Sequence, residues 1–173
     1  RRSVARFMPG ETADDMLAAA VRLADRGIGA VFTRLGENVA DLGDAEGVAS
    51  HYVEVIERVR SAGVPVEPSI KLTQLGLDID REQGYRNARA VAVAAAAAGV
   101  YLWVDMEQSG YVDATLDVTR RLKSEFPQVG VCLQAYLHRT PSDLRALMAE
   151  GIGIRLVKGA YLEPESVAIA RKQ

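Results

Sequence analysis

Four apolar runs of this chain carry a polar side chain near their C-terminal ends: Lys71, Asp105, Gln134 and Arg155. Side chains of an extended run alternate between two faces. Glu67, Ser69 and Lys71 therefore share a face opposite Val66 and Ile70, and Tyr101, Trp103 and Asp105 oppose Val100, Leu102 and Val104. Cys132 and Gln134 oppose Val131 and Leu133, while Gly153, Arg155 and Val157 oppose Ile154 and Leu156. One face is aliphatic and can pack under helices. The other gathers two cations, a carboxylate and an amide at neighbouring strand ends. A parallel sheet that only supports a fold is apolar on both faces. Unpaired buried charge is costly, so these groups are expected to meet one another or a polar ligand. Asp105 and Lys71, on adjacent strands about 4.8 Å apart, are expected to interact directly.

The elements that must position them follow from a repeated junction. A helix-like stretch ends in glycine and an apolar run follows at once: Gly27 before Ile28–Leu35, Gly63 before Val64–Leu72, Gly99 before Val100–Asp105, Gly151 before Ile152–Val157. A fifth run, Val129–Tyr136, follows Pro127. Helical spacing fills the intervals, with Met16, Ala20, Val21 and Ala24 on one face, Tyr52, Val55, Ile56 and Val59 on another, and Leu144, Leu147 and Met148 on a third. Thr12 with Asp15 reads as a capping box, Thr140-Pro141 as a helix start, and Pro164 as the opening of a last helix. Strands alternating with helices mean a parallel sheet with right-handed crossovers. No glycine-rich phosphate loop follows the first strand, which disfavours an open nucleotide-binding sheet. The expected fold is therefore α/β, a partial (β/α)₈ TIM barrel of about five βα units, whose active-site mouth lies at the strand C-termini.

Composition removes other function classes. The net charge is −2 with no basic block, which argues against nucleic acid as a partner. Two histidines and one cysteine offer neither a multi-histidine metal site nor an internal disulfide, so no metal is expected and the compartment reads as reducing, that is, cytoplasmic. The longest uncharged stretch, Ala90 to Val104, has 15 residues, short of the ~20 that cross a bilayer. The 173 residues suit a single domain, whereas a whole barrel takes ~250. With Arg1 rather than Met at the start, a piece of a longer barrel is expected.

Four ordered motifs carry a family resemblance. Lys71-Leu72-Thr73-Gln74-Leu75-Gly76, Asp105-Met106-Glu107, Leu133-Gln134-Ala135-Tyr136-Leu137 and Arg155-Leu156-Val157-Lys158-Gly159-Ala160-Tyr161, with Glu163-Pro164 after the last, resemble segments of monofunctional bacterial proline dehydrogenases. The likeness runs from about Arg6 to the end. It implies a barrel bearing FAD that oxidises L-proline to Δ¹-pyrroline-5-carboxylate on the route to glutamate. A quinone would take the electrons, with the protein peripheral at the inner face of the bacterial membrane.

The resemblance also implies roles. Asp105 and Arg155 become catalytic residues, and Lys71 and Tyr161 bind substrate. Met106, Gln134, Arg155, Val157, Lys158, Gly159 and Ala160 contact the flavin. These residue types suit the chemistry: Lys71 is a compact cation for a carboxylate, and Arg155 a permanently charged fork for developing negative charge. Gln134 can donate and accept along a flavin edge, and Gly159 lets backbone approach it. The family's last three strands are missing from the sequence, and with them a Thr-His pair on the flavin and an arginine pair on the proline carboxylate. The isolated chain is expected to be inactive, and its open sheet edges to favour an oligomer.

Other readings compete at single positions. Lys71 or Lys158 could form a Schiff base in a barrel aldolase or lyase, and a truncated half-barrel could be non-catalytic. Cys132 reads as a buried small hydrophobe, Trp103 as either core filling or flavin stacking, and His51 and His138 as surface residues. Arg120, Arg121 and Lys123 read as a solvated helix face.

Overall fold

The computed structural model describes Gly10, residues 12–36 and residues 39–170, so the start of the resemblance at Arg6 lies outside the described residues. Helices and strands alternate: α1 (Ala13–Ala24), β1 (Ala30–Phe32), α2 (Leu42–Ala62), β2 (Val66–Ile70), α3 (Arg81–Ala98), β3 (Leu102–Val104), α4 (Val112–Glu125), β4 (Val129–Gln134), α5 (Thr140–Ala149) and β5 (Gly153–Val157). The strands form one sheet in sequence order, and every pairing is parallel. Gly63 and Gly99 close α2 and α3 in the left-handed conformation, with φ of 63° and 69°, a region closed to most residues by their Cβ.

The aliphatic parity of β2, β3 and β4 packs against the helices, whereas on the edge strand β5 Ile154 is only partly covered and Leu156 is 58% exposed. Ile70, Leu102, Val104, Val131 and Leu133 are buried with Tyr52 and Ile56 of α2, Val91 of α3 and Leu122 of α4. Tyr52 is fully enclosed, and burial raises its phenol pKa above the usual value. Its hydroxyl donates to the Ser69 carbonyl at 2.9 Å and accepts from the Arg34 amide at 2.9 Å. Helix α2 is thereby fixed to the ends of β1 and β2.

Several local expectations change in the folded chain. β1 is three residues long rather than the whole Ile28–Leu35 run, and Ile28, Val31 and Leu35 are exposed. The Thr12–Asp15 capping box forms. Thr140 is not a side-chain cap: its hydroxyl donates to the Gln134 carbonyl at 2.5 Å, and the helix begins after Arg139. Met148 points outward, 65% exposed, although Leu147 is buried. No helix starts at Pro164 among the described residues. The segment turns and pairs Ala168 with Leu137, and Ile169 donates to the Tyr136 carbonyl at 2.8 Å. Arg120 and Arg121 are more than a solvated face, since Arg120 reaches Glu150 beyond α5 and Arg121 reaches Glu82 on α3, both at 2.7 Å. No described helix is long and apolar enough to cross a membrane.

The sheet is curled, with the polar parity on its concave side. β2 and β5 are three strand steps apart, about 14 Å in a flat sheet. Yet a guanidinium nitrogen of Arg155 on β5 stands 3.0 Å from the Ser69 hydroxyl on β2. At the floor of the concavity, Ser69, Trp103, Gly130 and Gly153 are in register across four strands. A Cβ on Gly130 would lie 2.7 Å from the Trp103 ring. The missing side chain there makes room for the Tyr101–Trp103 ring pair, whose centroids are 4.7 Å apart.

Candidate active site

Asp105 follows β3, with its amide donating to the Ile70 carbonyl at 2.8 Å, and forms the centre of the concave face. The Ser69 hydroxyl donates to its Oδ1 at 2.6 Å and the Cys132 thiol to the same oxygen at 3.1 Å. Lys71 Nζ lies 3.5 Å from Oδ2, and Arg155 Nη1 lies 3.9 Å from Oδ1. Three strand-end residues named from parity alone, Lys71, Asp105 and Arg155, thus share one cluster. Arg155 also lies over the Trp103 ring, 5.5 Å from its centroid, and the Trp103 indole donates to Glu67 at 2.6 Å. Trp103 fills the floor and fixes the polar groups above it. Burial and the adjacent Asp105 carboxylate push the Cys132 thiol up to about 12, so it remains a protonated donor at neutral pH. Its reading as a mere hydrophobe is incomplete: it is buried, and it also holds the carboxylate.

Gln134, at the end of β4, is buried. Its amide nitrogen donates to the Met106 carbonyl at 3.1 Å, and its Oε1 is buried with no hydrogen-bond partner among the described residues. The Met106 side chain is itself packed into the core, so this residue faces the concavity through backbone rather than through its thioether. The amide oxygen of Gln134 leaves an acceptor open to an N–H donor, because an orphaned buried polar atom is unfavourable unless something fills it.

The chain beyond β5 forms the rim. Lys158 and Ala160 are exposed and Tyr161 is half-buried. Gly159 has φ of 100°, and a Cβ there would run into the Tyr136 ring. The Tyr136 hydroxyl donates to the Tyr161 carbonyl at 3.1 Å, which ties this rim to the loop after β4. Val157 is 37% exposed, and its carbonyl accepts from the Ala135 amide at 2.7 Å. His138 is exposed, with a ring nitrogen 2.9 Å from the Glu165 carbonyl.

Two carboxylates that parity did not single out fasten the mouth. Glu107, buried at 4% exposure, accepts from the Thr73 amide at 3.0 Å and the Thr73 hydroxyl at 2.5 Å. Burial raises its pKa, against the lowering effect of those two bonds. Glu163 accepts from the Ser109 amide at 2.7 Å and the Ser109 hydroxyl at 2.6 Å. The loops after β2, β3 and β5 are therefore joined in series. The acidic residues of Asp105-Met106-Glu107 and Glu163-Pro164 were the available signal, but their serine and threonine partners are remote in sequence.

Comparison with known proteins agrees with this geometry. The family model described as proline dehydrogenase matches residues 16–173. Proline dehydrogenase 1 of Bacillus subtilis (strain 168) is 34% identical over the whole chain, and proline dehydrogenase of Deinococcus radiodurans is 36% identical over 96% of it. The chain spans 57% and 56% of those two relatives. The crystal structure of proline utilization A from Bdellovibrio bacteriovorus, inactivated by N-propargylglycine, superposes with a TM-score of 0.77 at 25% identity, over 89% of this chain and 20% of that one. Five parallel strands with alternating helices follow the curl of that TIM barrel. Taken with the strand-end cluster, the match over residues 16–173 shows that the chain belongs to the proline dehydrogenase family.

Proposed function

We propose that this chain supplies five βα units, as a single domain, of an FAD-dependent enzyme that oxidises L-proline to Δ¹-pyrroline-5-carboxylate and passes electrons to a quinone. The observation that carries the reading is the convergence of Lys71, Asp105 and Arg155 on the concave side of the sheet. The residues fit a flavin. Gln134 Oε1 is a buried acceptor without a donor among the described residues, of the kind an isoalloxazine ring N–H would fill. Gly159, at φ of 100° and without a side chain, lets the rim backbone pass close beside the Tyr136 ring. Gln134, Arg155, Val157, Lys158, Gly159, Ala160 and the backbone of Met106 would hold the cofactor. When bound, the flavin supplies the acceptor for a hydride from the proline ring carbon next to nitrogen.

The chain's own residues bind and orient. Lys71 gives its ammonium to the substrate carboxylate, and Tyr161 bounds the pocket from the rim. Asp105 keeps Lys71 directed inward and balances the two cations. The Arg155 guanidinium places fixed positive charge where negative charge collects during the reaction, and a preorganised charge needs no rearrangement at that moment. A quinone dissolved in the bilayer would require the whole protein to work at a membrane surface as a peripheral protein.

The test is purification of the full-length protein, with visible absorbance for bound flavin and reduction of a soluble quinone analogue on addition of L-proline. A yellow protein with proline-dependent turnover, and Lys71→Met raising KM for proline, is expected. A colourless protein without proline oxidation refutes the reading. Borohydride trapping of a carbonyl substrate on Lys71 or Lys158 in that protein would assign it to lysine-dependent aldol or lyase chemistry instead.

A further inference from the structure

The Ser69 side chain is 2% exposed and takes part in two hydrogen bonds that join β2, β3 and β5. We infer that Ser69 is a positioning residue that holds Arg155 off Asp105 and so keeps the guanidinium free for the cofactor. A serine hydroxyl has one proton and two lone pairs. The proton goes to Asp105 Oδ1 at 2.6 Å, because an ionised carboxylate only accepts. The lone pairs therefore face Arg155, whose Nη1 donates to the hydroxyl at 3.0 Å. The chain of bonds runs in one direction, from guanidinium to hydroxyl to carboxylate.

That direction has a consequence for charge. Arg155 and Asp105 are 3.9 Å apart at their nearest atoms, beyond hydrogen-bond range. Asp105 Oδ1 already accepts from Ser69 and Cys132, and its Oδ2 faces Lys71. A guanidinium and a carboxylate without an intervening group close into a paired fork with two parallel bonds. Such a fork would use two of the five N–H donors of Arg155 and turn them away from the cofactor. With Ser69 between them, one donor is engaged at the hydroxyl. Nε and Nη2 make no hydrogen bond among the described residues. The Trp103 ring below, 5.5 Å from the guanidinium, limits its movement in the other direction.

This inference rests on the flavin reading of the site. Its test uses the full-length flavin-loaded protein with Ser69→Ala, which removes the hydroxyl without adding volume. The expected result is flavin content close to wild type and kcat lowered at least tenfold, with KM for proline changed less than threefold. The equilibrium constant for two-electron reduction of the bound flavin, measured against a reference dye, should fall about tenfold, or about 30 mV. A loss of packing alone lowers the melting temperature without moving that equilibrium. Ser69→Thr, which restores a hydroxyl, should recover most of both effects, and it decides the matter if Ser69→Ala fails to retain flavin. A folded, yellow Ser69→Ala protein with unchanged kcat and unchanged flavin reduction overturns the inference while leaving the proposed function intact. A wild-type protein without flavin overturns both.

Discussion

Replacing Glu107 with alanine tests whether the mouth is held by buried carboxylates. The substitution removes the acceptor for the Thr73 amide and hydroxyl, now at 3.0 and 2.5 Å. Thr73 is itself buried at 5% exposure, so water does not readily replace the carboxylate. A buried amide left without an acceptor costs about 1–3 kcal/mol, and the hydroxyl and the emptied side-chain volume add about 1 kcal/mol. A total of about 2–4 kcal/mol lowers Tm by roughly 4–16 °C at ~2–4 °C per kcal/mol. Glu107→Gln keeps an oxygen for the amide and offers an N–H to the hydroxyl, so it should lose about 1 kcal/mol or less.

The charge of Glu107 adds a pH signature. Burial raises its pKa in the folded protein, so the folded state binds the proton more tightly than the unfolded chain. Stability from this group is fully present below the ordinary carboxylate value and declines as pH rises through the raised folded value. Glutamine does not ionise, so the deficit of Glu107→Gln relative to wild type should shrink between pH 4.5 and neutrality. Chemical denaturation of the full-length protein across that range, with KM for proline as a second readout of the Lys71 loop, measures both effects. A Glu107→Ala protein as stable as wild type would refute the latch, and a glutamine deficit that grows with pH would refute the assigned titration.

Other expectations follow from single contacts. Arg155→Met in the full-length protein should cut kcat for proline far more than it raises KM, because the proposed role of the guanidinium is on charge that develops during reaction; steady-state kinetics with unchanged kcat would contradict this. Gly159→Ala places a side chain at φ of 100° against the Tyr136 ring, so about 1–3 kcal/mol of strain and loss of flavin content by absorbance are expected. Cys132, with its thiol pushed up to about 12, should resist Ellman's reagent at pH 8 in the folded protein and react after denaturation. Residues 1–173 expressed alone should self-associate in size-exclusion chromatography, because β1 and β5 are sheet edges and Leu156 is 58% exposed; a yellow, proline-oxidising monomer would refute this.

The sequence by itself determined the order of elements and the parity of each strand. A glycine that ends a helix and a two-residue alternation are local properties, written within a few consecutive positions. Lys71, Asp105 and Arg155 could therefore be assigned to one face before any tertiary contact was known, and the four motifs fixed the family. The tertiary structure decided which of those groups touch. Curling of the sheet brings Arg155 to Ser69 across 86 residues, a distance that periodicity within a strand does not encode. Pairing of β4 beside β3 sets the Cys132 thiol against Asp105, so a residue of the core is also a donor to the carboxylate. Glu107 and Glu163 became latches because Thr73 and Ser109, 34 and 54 residues away, arrive at the same rim. Pro164 shows the opposite limit: its local helix-start signal gave way to pairing of the following residues with the loop after β4. Local signals set which way a side chain points, whereas the curl of the sheet and the packing of its loops set what it meets, because only that packing removes the water that would otherwise satisfy it.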